Sequence, residues 1–190
     1  YGGDGNDSLL GLGGTDQLWG EAGADYLYGG RGDDTLYGGE GDDRLRGNRE
    51  DDTLYGGDGD DDLRGGGHDD TLYGGDGDDF LLGENGSDVL DGGAGDDVLT
   101  GGYSGGVADG LADTFVYADS AHGGGGYDRV RGWEDGIDHI DLTAFGFGDC
   151  DTDVLSLASD VGAGLRIDFG GGDVLLIEGF TRADFDAADV

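Results

Sequence analysis

The chain has 190 residues, room for one or two small domains, with 48 glycines, no proline, and 45 acidic residues against nine basic ones, all arginine. A formal charge of −36 opposes compaction, and charge with low hydrophobicity at random spacing is the composition of a disordered segment. It also excludes nucleic acid and bare anionic membrane as partners and leaves divalent cations as natural ones; no apolar run reaches the length of a membrane span.

From Gly2 to Thr100 the sequence divides without insertion into eleven nine-residue units. The first position is always glycine, beginning at Gly2, Gly11 and Gly20 and ending at Gly92. The sixth is always aspartate: Asp7, Asp16, Asp25, Asp34, Asp43, Asp52, Asp61, Asp70, Asp79, Asp88 and Asp97. The eighth is always leucine, from Leu9 to Leu99. Three invariant columns in eleven rows contradict disorder. Glycine at positions one, two and four is expected to supply positive φ for a tight loop that turns carbonyls inward. Positions seven to nine, polar-Leu-variable, predict a three-residue strand with one inward side chain. Two units then complete one turn of a flat solenoid. Carbonyls and carboxylates are oxygen donors, which suit Ca²⁺ rather than Zn²⁺.

The pattern G-G-x-G-x-D-x-U-x, carried here by GGRGDDTLY, GGDGDDDLR and GGDGDDFLL, resembles the calcium-binding nonapeptide repeat of RTX (repeat-in-toxin) proteins. The resemblance implies an all-β, right-handed parallel β-roll with ions between loops stacked eighteen residues apart. Sixth-position aspartates and backbone carbonyls would hold them, the glycines concerned being Gly3, Gly5, Gly30, Gly32, Gly39, Gly41, Gly57, Gly59, Gly75, Gly77, Gly93 and Gly95. One edge would pair Asp7, Asp25, Asp43, Asp61, Asp79 and Asp97 in succession, and the other Asp16, Asp34, Asp52, Asp70 and Asp88. Five intervals plus four make nine Ca²⁺, offsetting 18 of the 36 excess negative charges. The leucine column is thin and stacked carboxylates repel, so folding is expected to require the metal, cooperatively because neighbouring sites share an aspartate.

Departures are few. Glu50 and His68 replace the fourth-position glycine, one turn apart, and are expected to flank the Asp52–Asp70 site. Glu50 reads either as an extra ligand or as tolerated drift. Leu12, Glu21, Asn48 and Glu84 replace the second-position glycine. Thr35, Thr53 and Thr71 form a column beside Trp19, Tyr37, Tyr55 and Tyr73; it reads as a glycan-binding face or as exposed-strand residues stacking on themselves. His122 and His139 are isolated and lack zinc-ligand spacing. Asp58-x-Asp60-x-Asp62 is followed by Leu63, where an EF-hand needs glycine. The periodicity accounts for the many acidic pairs as ion ligands, so no catalytic dyad is assigned. Cys150 stands alone and cannot form an internal disulfide.

After Thr100 the period breaks. Strands are expected at 115–117, 128–131, 137–142, 154–157, 165–169 and 174–177, and residues 101–190 read as a β-rich region capping the roll at 1–100. ADTFVY, YDRVRGWEDGIDHIDLTAF and LRIDFGGGDVLLIEGF resemble the C-terminal region of serralysin-type secreted proteases and alginate epimerases. That resemblance implies type I secretion, with a signal near the C-terminus in TRADFDAADV, and places Asp113 to complete a tenth site with Asp88. No N-terminal signal peptide is visible, and Tyr1 lies inside a repeat, so the chain reads as a fragment. The expected function is a calcium-binding module that folds outside the cell, its capped C-terminal end first, and serves secretion and stability of a larger protein. The alternatives are an appendage of a secreted protease, lipase or epimerase, whose chemistry would lie upstream (no H-E-x-x-H is present), and a structural or adhesive surface module.

Overall fold

The computed structural model describes residues 1–102, 110–117, 127–132, 138–142, 158–162, 164–170, 173–179 and 181. The expected strand at 154–157, the tail at 182–190, His122 and Cys150 lie outside the described residues.

The repeat region comprises β1 (Gly3–Asp4), β2 (Ser8–Leu10), β3 (Gln17–Ala22), β4 (Tyr26–Arg31), β5 (Thr35–Glu40), β6 (Arg44–Arg49), β7 (Thr53–Asp58), β8 (Asp62–Gly67), β9 (Thr71–Asp76), β10 (Phe80–Asn85), β11 (Val89–Ala94) and β12 (Val98–Thr100). Beyond it come β13 (Thr114–Val116), β14 (Tyr127–Arg131), β15 (His139–Asp141), β16 (Ala158–Val161), β17 (Gly164–Gly170) and β18 (Asp173–Glu178). Among the described residues all regular structure is β. Odd-numbered strands through β15 form an eight-stranded sheet in the order β1-β3-β5-β7-β9-β11-β13-β15. The second sheet runs β16-β17-β18-β14-β12-β10-β8-β6-β4-β2. Through β15, consecutive strands alternate between the two sheets and pair in parallel within each, which is the β-solenoid the period predicts.

Repeat strands are six residues long where three were expected. They run through positions seven to nine and on into positions one to three of the next unit, because Gly39↔Gly57 and Glu40↔Asp58 pair one turn apart as well as Leu36↔Leu54. The loop is therefore confined to positions four to six.

Side-chain alternation within each strand turns the eighth position inward. Leu27, Leu36, Leu45, Leu54, Leu63, Leu72, Leu81 and Leu90 are all fully buried. The leucine columns continue into the C-terminal region: Leu90 pairs with Phe115 and Phe115 with Ile140, while Leu99 pairs with Val130 and Val130 with Ile177. Strands β13, β14 and β15 thus extend the parallel stacking without the nine-residue period. Strands β16, β17 and β18 pair antiparallel at one end of the second sheet; β16 has no counterpart among the expected strands.

Glycine requirements separate by position. All eleven second-position and all eleven fourth-position residues have positive φ, including the six that are not glycine: Leu12, Glu21, Asn48, Glu50, His68 and Glu84. The first-position glycines do not share this conformation, contrary to the expectation. They are glycine because a Cβ would meet the carboxylate of the same unit's aspartate, 2.7 Å from Asp7 Oδ2 at Gly2 and 2.8 Å from Asp16 Oδ2 at Gly11.

Candidate metal centre

Each sixth-position aspartate sits where the loop enters the next strand, so the solenoid stacks these residues in two columns. In both, the backbone N–H donates to Oδ1 of the aspartate one turn on. Along one edge these bonds run from Asp7 to Asp25, Asp25 to Asp43, Asp43 to Asp61, Asp61 to Asp79 and Asp79 to Asp97, at 2.7–2.9 Å. Along the other they run from Asp16 to Asp34, Asp34 to Asp52, Asp52 to Asp70 and Asp70 to Asp88, at 2.8–2.9 Å. Nine intervals result, between the aspartates paired from the sequence.

The second carboxylate oxygen is the informative atom. Oδ2 of all eleven repeat aspartates is buried and accepts no hydrogen bond. From Asp25 to Asp97 the column residues are only 1–3 % exposed. Burying a carboxylate without a compensating partner is unfavourable, and the group responds by favouring its neutral form. Burial first, then repulsion from column neighbours, raises Asp52 and Asp61 to about 7 and Asp70 and Asp79 to about 8, against the opposing backbone hydrogen bond. Asp43 and Asp97 rise to about 6 for the same leading reason. Among the described residues the arginine ion pairs lie off the columns: Arg64, Arg131 and Arg166 pair with Asp62, Glu178 and Asp168.

Backbone carbonyls share the inter-loop space. A Cβ on Gly30 would stand 2.5 Å from the Leu12 carbonyl oxygen, and one on Gly32 2.5 Å from that of Gly14. Carbonyls at positions two and four of one loop therefore face the next loop. No three His, Cys, Asp or Glu side chains converge into a metal cage among the described residues. Two carboxylates per interval with surrounding carbonyls make an all-oxygen donor set, which fits a hard divalent cation such as Ca²⁺ and does not fit Zn²⁺.

The columns outlast the repeats. Asp88 N–H donates to Asp113 Oδ1 and Asp97 N–H to Asp128 Oδ1, both at 2.9 Å, and Asp113 N–H to Asp138 Oδ1 at 3.1 Å. Asp113, expected beside Asp88, is there; Asp128 and Asp138 were not foreseen. Their signal was the triplet Asp-x-apolar in Asp113-Thr114-Phe115, Asp128-Arg129-Val130 and Asp138-His139-Ile140, which reproduces positions six to eight. Asp128 also accepts the Tyr117 hydroxyl, and burial with the nearby Asp97 charge brings its carboxyl to about 7. Fifth-position carboxylates form a further outer ladder of reversed polarity: Asp60 N–H donates to Asp42, Asp78 to Asp60 and Asp96 to Asp78, at 2.9–3.1 Å.

Glu50 does not lie where the spacing suggested. Its Oε2 accepts the Gly32 N–H at 2.8 Å, which places its carboxylate toward loop 29–34 and the Asp34–Asp52 interval, not the Asp52–Asp70 interval. On its other side, β6–β8 pairing stops at Arg46↔Arg64, where the neighbouring β4–β6 pair continues through Arg31↔Arg49.

On the outer face of the first sheet, Tyr1, Trp19, Tyr37, Tyr55 and Tyr73 stack with centroids 4.6–5.4 Å apart and planes within 9°. The rings cover one another's faces, so the stripe presents edges and hydroxyls where sugar stacking needs exposed faces. Gly102-Tyr103-Ser104-Gly105-Gly106 spells G-x-S-x-G, and its residues 103–106 lie outside the described residues.

Comparison with known proteins identifies a family. A search of curated proteins finds no significant match. The solution structure of the AlgE6R3 subunit from the Azotobacter vinelandii mannuronan C5-epimerase is 30% identical, with 69% of this chain and 82% of that one covered and a TM-score of 0.47. A family model described as RTX calcium-binding nonapeptide repeat (4 copies) matches residues 1–36, 37–72 and 64–99. With more than half of its residues matched and two columns of cation-seeking aspartates, the chain belongs to the RTX calcium-binding nonapeptide-repeat family.

Proposed function

We propose that calcium folds this chain: nine Ca²⁺ occupy the intervals between stacked aspartates, and the roll forms where calcium is plentiful. The observation that supports this reading is the set of eleven buried Oδ2 atoms without a hydrogen-bond partner. In each interval the two facing aspartates and the carbonyls of positions two and four hold the ion, which supplies the positive charge the columns lack. The Asp88–Asp113 interval is a candidate tenth site. At the Asp97–Asp128 interval the Tyr117 hydroxyl already engages Asp128, so that column ends on a hydrogen bond.

The biological consequence is a calcium-triggered module of a larger secreted protein, extended during type I export and folded outside, with residues 101–190 capping the roll and carrying the export signal. Counting ions by native mass spectrometry at saturating calcium tests the site assignment. Nine or ten per chain is expected; two or fewer would refute the columns as ion sites.

A further inference from the structure

The fourth position tolerates a side chain poorly. Its positive φ disfavours every L-residue with a Cβ, and Glu50 adopts φ +68° there. In regular turns its N–H donates to the third-position carbonyl one turn on: Gly14 to Arg31, Gly23 to Glu40, Gly41 to Asp58 and Gly59 to Asp76, at 2.6–2.8 Å. Gly32 departs from this scheme, because its N–H is taken by the Glu50 carboxylate.

The direction of the side chain explains the exchange. A Cβ built at the equivalent Gly41 or Gly59 points at the fourth-position carbonyl of the preceding loop, 2.6–2.7 Å away. Glu50 therefore projects back between loops 29–34 and 47–52, into the gap bordered by Asp34 and Asp52. Both have a buried Oδ2 without a partner, and both residues are 2 % exposed. A strained residue kept in place by a specific contact points to a role.

We propose that the Asp34–Asp52 interval is the tightest calcium site of the roll, because the Glu50 carboxylate, held by Gly32 N–H, adds a negative charge near it without joining the ligand set. The inference rests on the calcium reading of the columns. A fixed carboxylate near a cation site strengthens binding through Coulomb attraction without coordinating the ion. The site lies inside the roll and is the first to fill and the last to empty. Oε2 is anchored by Gly32 N–H, which makes Glu50 a positioning residue with a fixed charge.

The test is calcium release from the loaded, full chain into excess chromophoric chelator by stopped flow, with Glu50→Gln and Glu50→Gly. In the parent, one ion per chain leaves in a phase at least about tenfold slower than the remainder. Glu50→Gln keeps an acceptor for Gly32 N–H but loses the charge, and that ion joins the faster phase with the total count unchanged. Glu50→Gly restores the regular repeat and does the same without backbone strain. A parent with no distinct slow ion, or a Glu50→Gln variant with the parent's profile, overturns the inference. Absence of bound calcium in the parent would overturn the column reading instead.

Discussion

Asp61 lies between two ion intervals, and replacing it with asparagine separates the metal's contribution from that of the hydrogen-bond ladder. In Asp61→Asn the new side chain would still offer Oδ1 to Asp43 N–H, the bond that measures 2.7 Å in the parent. It would place an NH₂ where the buried Oδ2 now stands. Sites on both sides, toward Asp43 and toward Asp79, lose a ligand. A site filled at a hundredfold excess of calcium stabilises the fold by about 2.7 kcal/mol, so two lost sites cost roughly 5 kcal/mol. Asp7 borders only the interval to Asp25, and Asp7→Asn should cost about 2.7 kcal/mol by the same reasoning. Urea unfolding followed by far-UV circular dichroism at saturating calcium measures both. In chelator the sign reverses, because Asp61 is raised to about 7 by burial and its ionisation above that pH disfavours the compact state. Equal losses for the two variants would refute shared sites, and an equal loss for Asp61→Asn in chelator would refute the metal as the cause.

The columns also set a pH dependence. Asp52, Asp61, Asp70 and Asp79, raised to about 7–8 from 3.8, contribute stability in the metal-free state that is complete below pH 3.8 and disappears as pH rises through 7–8. Circular dichroism in chelator should therefore show more β-structure at pH 5 than at pH 8.5; the opposite trend would contradict buried carboxyls without cations. Leu54→Ala empties a fully buried position flanked by Leu36 and Leu72. A loss of about 2–5 kcal/mol in the calcium-loaded urea transition is expected, and a loss under 1 kcal/mol would mean a loosely packed column. Gly57→Ala forces a Cβ at φ +126° against the Gly39 carbonyl. It should cost at least about 1–2 kcal/mol from φ alone and weaken the neighbouring ions, read as a higher calcium midpoint. Tyr55→Ala breaks two ring stacks, to Tyr37 and Tyr73, for a loss of about 1–3 kcal/mol in the loaded protein, with calcium affinity little changed.

How far the sequence carried these features follows from what repeats. A column of Leu at every ninth residue specifies the inward face whatever its surroundings, so the solenoid, the two sheets and the Asp columns were all legible. The extent of each strand was not. Positions one to three carry glycine and variable residues with no alternation, and only the stacked backbone reveals that Gly39 pairs with Gly57. First-position glycine looked like a φ requirement and is a steric one, set by the carboxylate five residues later. The fifth-position ladder was hidden because that position holds Asn, Asp, Ala, Thr or Ser, and the bond from Ala24 N–H to Asn6 needs a side chain on one partner only. Past Thr100, insertions between Asp-x-apolar triplets erased the period while the pairing of Leu90 with Phe115 and Leu99 with Val130 persisted. Glu50 was noticed as an exception, but the direction of its side chain depends on φ and could be settled only in three dimensions.

The central question for this roll is whether the metal drives its folding. Far-UV circular dichroism of the chain, titrated with Ca²⁺ from excess chelator at pH 8 with Mg²⁺ in parallel, asks this directly. A cooperative coil-to-β transition with Ca²⁺ and none with Mg²⁺ is the predicted result. A chain already fully β-structured in chelator at that pH would contradict it, because the buried carboxylates would then be tolerated without the cation they are arranged to hold.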